Sequence, residues 1–205
     1  MNTALSITLP LPQEIYENSL YEYLLIANPG AEVAEKVIAE KQQFYEEYGV
    51  DGSIKTKPHV TVAGFLAKEA MEETIIRWIQ RICNHQKSFM VTLNNYSGFP
   101  AHSIYLRVQN TAPFQNLARE LTVVSNYISS CACPPMKLVT SPYMSIAKRL
   151  PQEIFFKALT QYARKSFHES FVVNELLLLR RKHAFDCCKP VNVFGLQCGE
   201  HLSLN

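Results

Sequence analysis

Residues 57–65 read Lys-Pro-His-Val-Thr-Val-Ala-Gly-Phe, and residues 141–150 read Ser-Pro-Tyr-Met-Ser-Ile-Ala-Lys-Arg-Leu. Superposing Pro58 on Pro142 and Ala63 on Ala147 pairs His59 with Tyr143, Val60 with Met144, Thr61 with Ser145 and Val62 with Ile146. The phrases lie 84 residues apart (59 to 143), close to half of the 205-residue chain. Side chains alternate faces along a strand. His59, Thr61 and Ala63 are therefore expected on one face, with Val60 and Val62 on the other. In the second copy Tyr143, Ser145 and Ala147 are expected opposite Met144 and Ile146. The apolar faces suit packing under helices, and the polar faces suit a cleft.

The flanking sequence repeats the same order of elements. Residues 20–28 are short, apolar and aromatic and stop at Pro29-Gly30, the pattern of a strand. Residues 31–48 carry Val33, Val37, Ile38, Lys41, Phe44 and Tyr45 near helical spacing, and Gly49 ends them. After the 59–65 strand, residues 68–84 read as a helix. Residues 88–96 and 103–108 read as strands, with Gly98-Phe99-Pro100 as a turn between them. The order then restarts: a helix over 113–129, the 138–147 strand, a helix over 152–167, a strong apolar strand over 171–180 and a last strand over 191–197. A duplicated βαβαβ unit accounts for this order. It predicts two sheets whose outer faces are covered by helices and whose other faces meet at a central cleft. No linker separates the halves, so residues 1–205 are expected to form one bilobal domain. Its lobes fall near 15–100 and 101–198, and exchange of strands between them is left open.

Bulk properties narrow the function. Lys plus Arg number 20 against 18 Asp plus Glu, for a net charge of +2. That balance gives no global signal for nucleic acid, so any anion site must be local. No signal-peptide pattern is evident at the start, and no apolar run is long enough to cross a bilayer. The six cysteines lack zinc-ligand spacing and read as reduced thiols of a cytoplasmic protein. Neither a cofactor nor a metal is expected.

The repeated phrase has chemical content. Two hydroxyls and two ring side chains converging on a cleft suit a tetrahedral phosphate. The hydroxyls donate to its oxygens, and an imidazole exchanges protons near neutral pH. A single strand histidine is more often a structural hydrogen-bonding residue. Its repetition at matched places in a duplicated architecture favours function.

At this point the chain resembles the two-histidine (2H) phosphoesterase superfamily, the 2′-5′ RNA ligase-like and cyclic phosphodiesterase proteins. The resemblance rests on Pro58-His59-Val60-Thr61-Val62 and on Pro142-Tyr143-Met144-Ser145-Ile146-Ala147-Lys148-Arg149. The late apolar strand and residues 191–196 support it. It implies an α+β fold of two antiparallel sheets facing a central cleft with helices outside, a cleft lined by two His-x-Thr/Ser motifs, and metal-independent chemistry on 2′-5′ or 2′,3′-cyclic phosphodiesters of nucleotides or RNA. One histidine would be the general base and the other the general acid. Carried over by position, His59 is one catalytic histidine, and Thr61 and Ser145 bind phosphate. Lys148 is a further candidate for the anion, with a solvated strand end as its alternative.

Tyr143 stands where the second histidine belongs. A phenol ordinarily ionises near pH ~10, so it is a poor base at neutral pH but still a donor. Loss of a matched acid or base costs about 10²–10⁴ in rate. The expected protein is a weakened or altered phosphoesterase. The alternative is an inactive nucleotide- or RNA-binding module with the same cleft. The partner is a nucleotide or RNA phosphodiester, with no membrane, and the protein is expected to be a monomer. Among the remaining histidines, His102 follows the Gly98-Phe99-Pro100 turn and is a candidate for the cleft rim, with a solvated loop histidine as the favoured alternative. Tyr21, Tyr23 and Phe99 are the aromatic candidates for stacking a base, with packing as the alternative.

Overall fold

The computed structural model describes residues 20–50, 54–99, 103–183 and 186–199. The strands are β1 (Leu20–Ala27), β2 (Val60–Lys68), β3 (Phe89–Phe99), β4 (Ser103–Val108), β5 (Lys137–Leu138), β6 (Tyr143–Lys148), β7 (His168–Val173), β8 (Glu175–Arg181) and β9 (Lys189–Gly195). The helices are α1 (Ala31–Tyr48), α2 (Glu72–Cys83), α3 (Ala112–Ser130) and α4 (Gln152–Tyr162). A short 3₁₀ turn, Glu69–Met71, precedes α2.

The helices follow from their apolar stripes and ends. In α3, Phe114, Leu117, Leu121, Val124 and Ile128 recur at helical spacing and are buried, and a proline sits in its first turn. Helix α1 ends at Gly49, whose φ of 67° is left-handed; its N–H donates to the Tyr45 carbonyl. Burial of each large stripe residue contributes roughly 1.5–3 kcal/mol.

The sheet is antiparallel and runs β7-β3-β4-β6-β2-β1-β8-β9, with β5 paired to β2. It consists of two half-sheets. The central strands β2 and β6 carry the two phrases, and a bridge between Val60 and Met144 joins them. The expected α+β, antiparallel architecture is present, but the two sheets are continuous through this bridge. Strand β3 pairs with β4 and β7, whereas β8 pairs with β1. One half-sheet thus takes β3 from the first half of the chain, and the other takes β5, β8 and β9 from the second. Helices α1 and α4 pack against β6, β7, β3 and β4, and α3 packs against β2.

Three local readings need correction. The apolar stretch 171–180 is two strands. Asn174 breaks it, and the buried positions shift from Phe171 and Val173 to Leu176 and Leu178. Those two strands enter opposite half-sheets. Gly98 and Phe99 are not a turn: they extend β3 and pair with Ile104 and Ser103. Gly98 is needed for close packing, because a Cβ there would lie 2.8 Å from Phe155. Helix α4 stops at Tyr162, short of the expected residue 167.

A fourth correction concerns the phrases themselves. Leu25 pairs with Ala63 and Ile26 with Thr61, which leaves Val62 as the extra residue of a β-bulge. Ile104 pairs with Ala147 and Tyr105 with Ser145, which leaves Ile146 in the same position of the second copy. A bulge shifts the alternation by one. Ala63 and Ala147 are therefore buried instead of facing the cleft, and Gly64 and Lys148 line it.

Candidate active site

His59, Thr61, Tyr143, Ser145 and Lys148 all line one cleft of about 790 Å³. Val60, Val62, Met144 and Ile146 alternate with them and are almost fully buried. The antiparallel register at Val60–Met144 sets His59 toward Ser145 and Thr61 toward Tyr143. Each half of the sequence motif thus meets the opposite element of its copy across the symmetry axis.

His59 has a defined orientation. Its Nδ1 lies 2.8 Å from the Lys57 carbonyl oxygen. A carbonyl only accepts, so Nδ1 carries the proton and Nε2 is left as the acceptor. Burial holds the imidazole below its ordinary pKa; the Lys57 bond opposes this, and the charges of Lys148 and Lys41 add to the depression. The neutral ring with a basic Nε2 is therefore the form favoured at neutral pH.

Lys148 reaches the cleft because the Ile146 bulge turns it there. Although Lys148 keeps an exposed surface, partial desolvation against the cleft wall, then the neighbouring Arg149, pulls its ammonium below the ordinary lysine range. An anion beside it would relieve both effects. Arg149 is exposed, has a left-handed φ of 57° and is not part of the cleft wall. Ser145 Oγ is buried and has no hydrogen-bond partner among the described residues. Its hydroxyl is thus unpaired at a residue of the cleft wall.

Tyr143 stands in an aromatic group. Its ring lies 5.3 Å from Phe99, edge-on, and 4.9 Å from Tyr105. Phe99 and Tyr105 stack at 4.6 Å. Phe99 lines the cleft and is 43% exposed, so one aromatic wall remains accessible. Tyr21 and Tyr23 are not part of the cleft wall. Arg180 sits over Tyr21, and the buried Tyr23 hydroxyl donates to Glu72.

Sequence reasoning missed Lys41. It occupies the buried stripe of α1 between Val37 and Phe44 and is only 4% exposed. Its Nζ donates to the Thr56 carbonyl at 2.7 Å and to Thr56 Oγ1 at 3.2 Å. Burial, with a contribution from Lys148, brings its pKa down to about 8. The signal was a lysine where the helical pattern asks for an apolar residue. The Arg180 and Arg181 side chains are accounted for by Glu69, Glu72 and Glu22. His85 Nδ1 donates to the Arg81 carbonyl at a helix end. His102 and His201 lie outside the described residues. All six cysteines are free. No group of three metal-binding side chains converges among the described residues, and no described helix is long and apolar enough to cross a membrane.

The family model of the 2′-5′ RNA ligase superfamily matches residues 30–184, well over half of the chain. The protein belongs to this superfamily, the two-histidine phosphoesterases. Its fold is similar to that of Escherichia coli LigT, crystallised with 3′-AMP (TM-score 0.67, 15% identity, 87% of this chain and 99% of that one). It is also similar to a protein described as a phosphoesterase (0.63, 17%, 86% and 98%) and to TT0787 of Thermus thermophilus (0.62, 14%, 88% and 100%). No curated protein sequence matches significantly.

Proposed function

We propose that this protein is a metal-independent phosphoesterase of altered two-histidine type, with Tyr143 in the place of the second histidine, acting on 2′,3′-cyclic or 2′-5′ phosphodiesters of nucleotides or RNA. One observation carries the reading: the Lys57 bond leaves His59 Nε2 as a base on a cleft that also presents Thr61, Ser145 and Lys148. In hydrolysis His59 takes a proton from water as its oxygen attacks phosphorus. The bond from phosphorus to the ribose oxygen breaks. Tyr143 gives its proton to the leaving alkoxide and recovers one from solvent, or holds a phosphate oxygen while solvent protonates the alkoxide; His59 then releases its proton to solvent. Thr61, Ser145 and Lys148 meet the negative charge on the non-bridging oxygens. Crystals of LigT with 3′-AMP and with phosphate support a nucleotide phosphate as the ligand class.

A second reading keeps binding and drops turnover. It is favoured by the packing of Tyr143 against Phe99 and Tyr105, which suits a wall for a ring better than a proton donor. Incubation with nucleoside 2′,3′-cyclic phosphates and 2′-5′ dinucleotides separates the two. Turnover lost in His59→Ala supports the enzyme; binding by calorimetry without turnover supports the module. Turnover that survives His59→Ala unchanged overturns the mechanism.

A further inference from the structure

We propose that Lys41 is the positioning residue that fixes the tautomer and aim of His59. The two are linked through a short run of backbone. Lys41 Nζ grips Thr56 by both its carbonyl and its hydroxyl oxygen. The next carbonyl, that of Lys57, accepts the His59 Nδ1 proton. Pro58 between them is buried and has a fixed φ. With Thr56 held at one end and Pro58 at the other, the Lys57 carbonyl has little freedom to turn away. Helix α1 packs under β6, which places Lys41 behind the cleft wall instead of in it.

A buried lysine carries a desolvation cost that an apolar residue would avoid. Its neighbours in the buried stripe, Val33, Val37 and Phe44, are all apolar. A structural need for an amine is met by the two Thr56 oxygens. That contact acts directly on the segment that presents His59. The charged and titratable groups facing His59 are Lys41 from α1 and Lys148 from β6, with the Tyr143 phenol across the axis. Lys41 differs from Lys148 in holding the backbone and not the ligand.

The consequence for catalysis rests on the proposed role of His59, but the positioning does not. Nitrogen-15 NMR of the imidazole reads the tautomer directly, without substrate. The wild type should show a proton on Nδ1 throughout the neutral range above the His59 titration. Lys41→Met should give a mixture of the two tautomers. Thr56→Val, at an exposed position that leaves the core untouched, should give a smaller change in the same direction. Where Lys41→Met does not fold, Thr56→Val decides. An unchanged Nδ1–H tautomer in the folded variants overturns the proposal. In an active preparation, Lys41→Met should lower kcat on the order of 10²-fold with little change in KM, as misplacement of a reacting group does. Lys41→Arg should recover part of it. Failure of the phosphoesterase reading would show as activity indifferent to His59→Ala, with the tautomer change intact.

Discussion

Val60 and Met144 face each other in the antiparallel bridge that joins the two half-sheets, and they are also the residues that the two phrases align with each other. Antiparallel pairing of equivalent residues places a two-fold axis between the strands. The internal symmetry axis of the protein therefore passes through this bridge. The two motifs flank it, which is how one histidine and one tyrosine from distant sequence come to line one cleft. The paired bulges at Val62 and Ile146 obey the same symmetry.

Both axis residues are 0% exposed. Met144→Ala should cost about 2–5 kcal/mol of stability, the range for a buried methionine. Because Val60 is its direct neighbour, the Val60→Ala, Met144→Ala double variant should depart from additivity by about 0.5–3 kcal/mol. Urea denaturation measures both. Additive costs would show that the two half-sheets do not depend on each other here.

The depressed pKa of His59 sets the pH behaviour. In the proposed mechanism His59 is a base that acts in its unprotonated form, so the acid limb of the kcat/KM profile should fall below pH ~6.5. The Lys148 charge lowers the His59 pKa. Lys148→Met should therefore raise it and move the limb to higher pH, besides weakening anion binding. The same group affects stability: its contribution is present above the ordinary histidine value and is lost as pH falls through the lower folded value. Proton NMR titration of the His59 ring checks the sign.

Tyr143→His restores a ring nitrogen that can exchange protons near neutral pH. Where the missing acid limits turnover, the rate on 2′,3′-cyclic phosphates should rise, within the about 10²–10⁴ range of such groups. Tyr143→Phe keeps the ring contacts with Phe99 and Tyr105 and removes the hydroxyl. It should leave stability nearly unchanged and reduce any residual turnover. No gain in Tyr143→His would mean that Phe99 and Tyr105 hold the new ring away from the phosphate.

Much of this was legible because strands and helices announce themselves by period. The His59 and Tyr143 phrases, the helices and their duplicated order needed only local pattern. What sequence could not supply were features set by pairing between strands. A bulge is defined by the partner strand, so the shift that buries Ala63 and Ala147 and turns Lys148 inward left no mark in either phrase. Residues 171–180 looked continuous because leucine and valine suit both half-sheets; the break at Asn174 was the only cue. Lys41 sat in plain view in an apolar stripe, but its partner Thr56 lies in a loop with no periodicity.

Gly98 offers a test of the corrected hairpin. Its missing side chain lets Phe155 and Leu159 of α4 lie against β3. Gly98→Ala forces an overlap at 2.8 Å with a buried ring, and overpacking of this kind costs about 1–3 kcal/mol. If Gly98 were a turn residue in open space, alanine would be nearly neutral. Thermal unfolding distinguishes the two. Phe155→Leu in the same background should recover part of the loss by making room.

Ser145 gives the sharpest separation of stability from function. Its Oγ is buried without a hydrogen bond among the described residues, and an unsatisfied buried hydroxyl costs about 1–3 kcal/mol. Removing it should not harm the fold. Ser145→Ala is expected to be as stable as the wild type, or more stable by about 1 kcal/mol. Loss of one donor to a phosphate oxygen should at the same time weaken inorganic phosphate binding about tenfold, equivalent to about 1.4 kcal/mol. Melting curves with and without phosphate measure both effects in one experiment. The wild type should gain more from phosphate than the variant, while the variant alone should melt no lower. A variant that melts lower and responds to phosphate as the wild type does would make Ser145 a packing residue, and the phosphate site would then rest on Thr61 and Lys148.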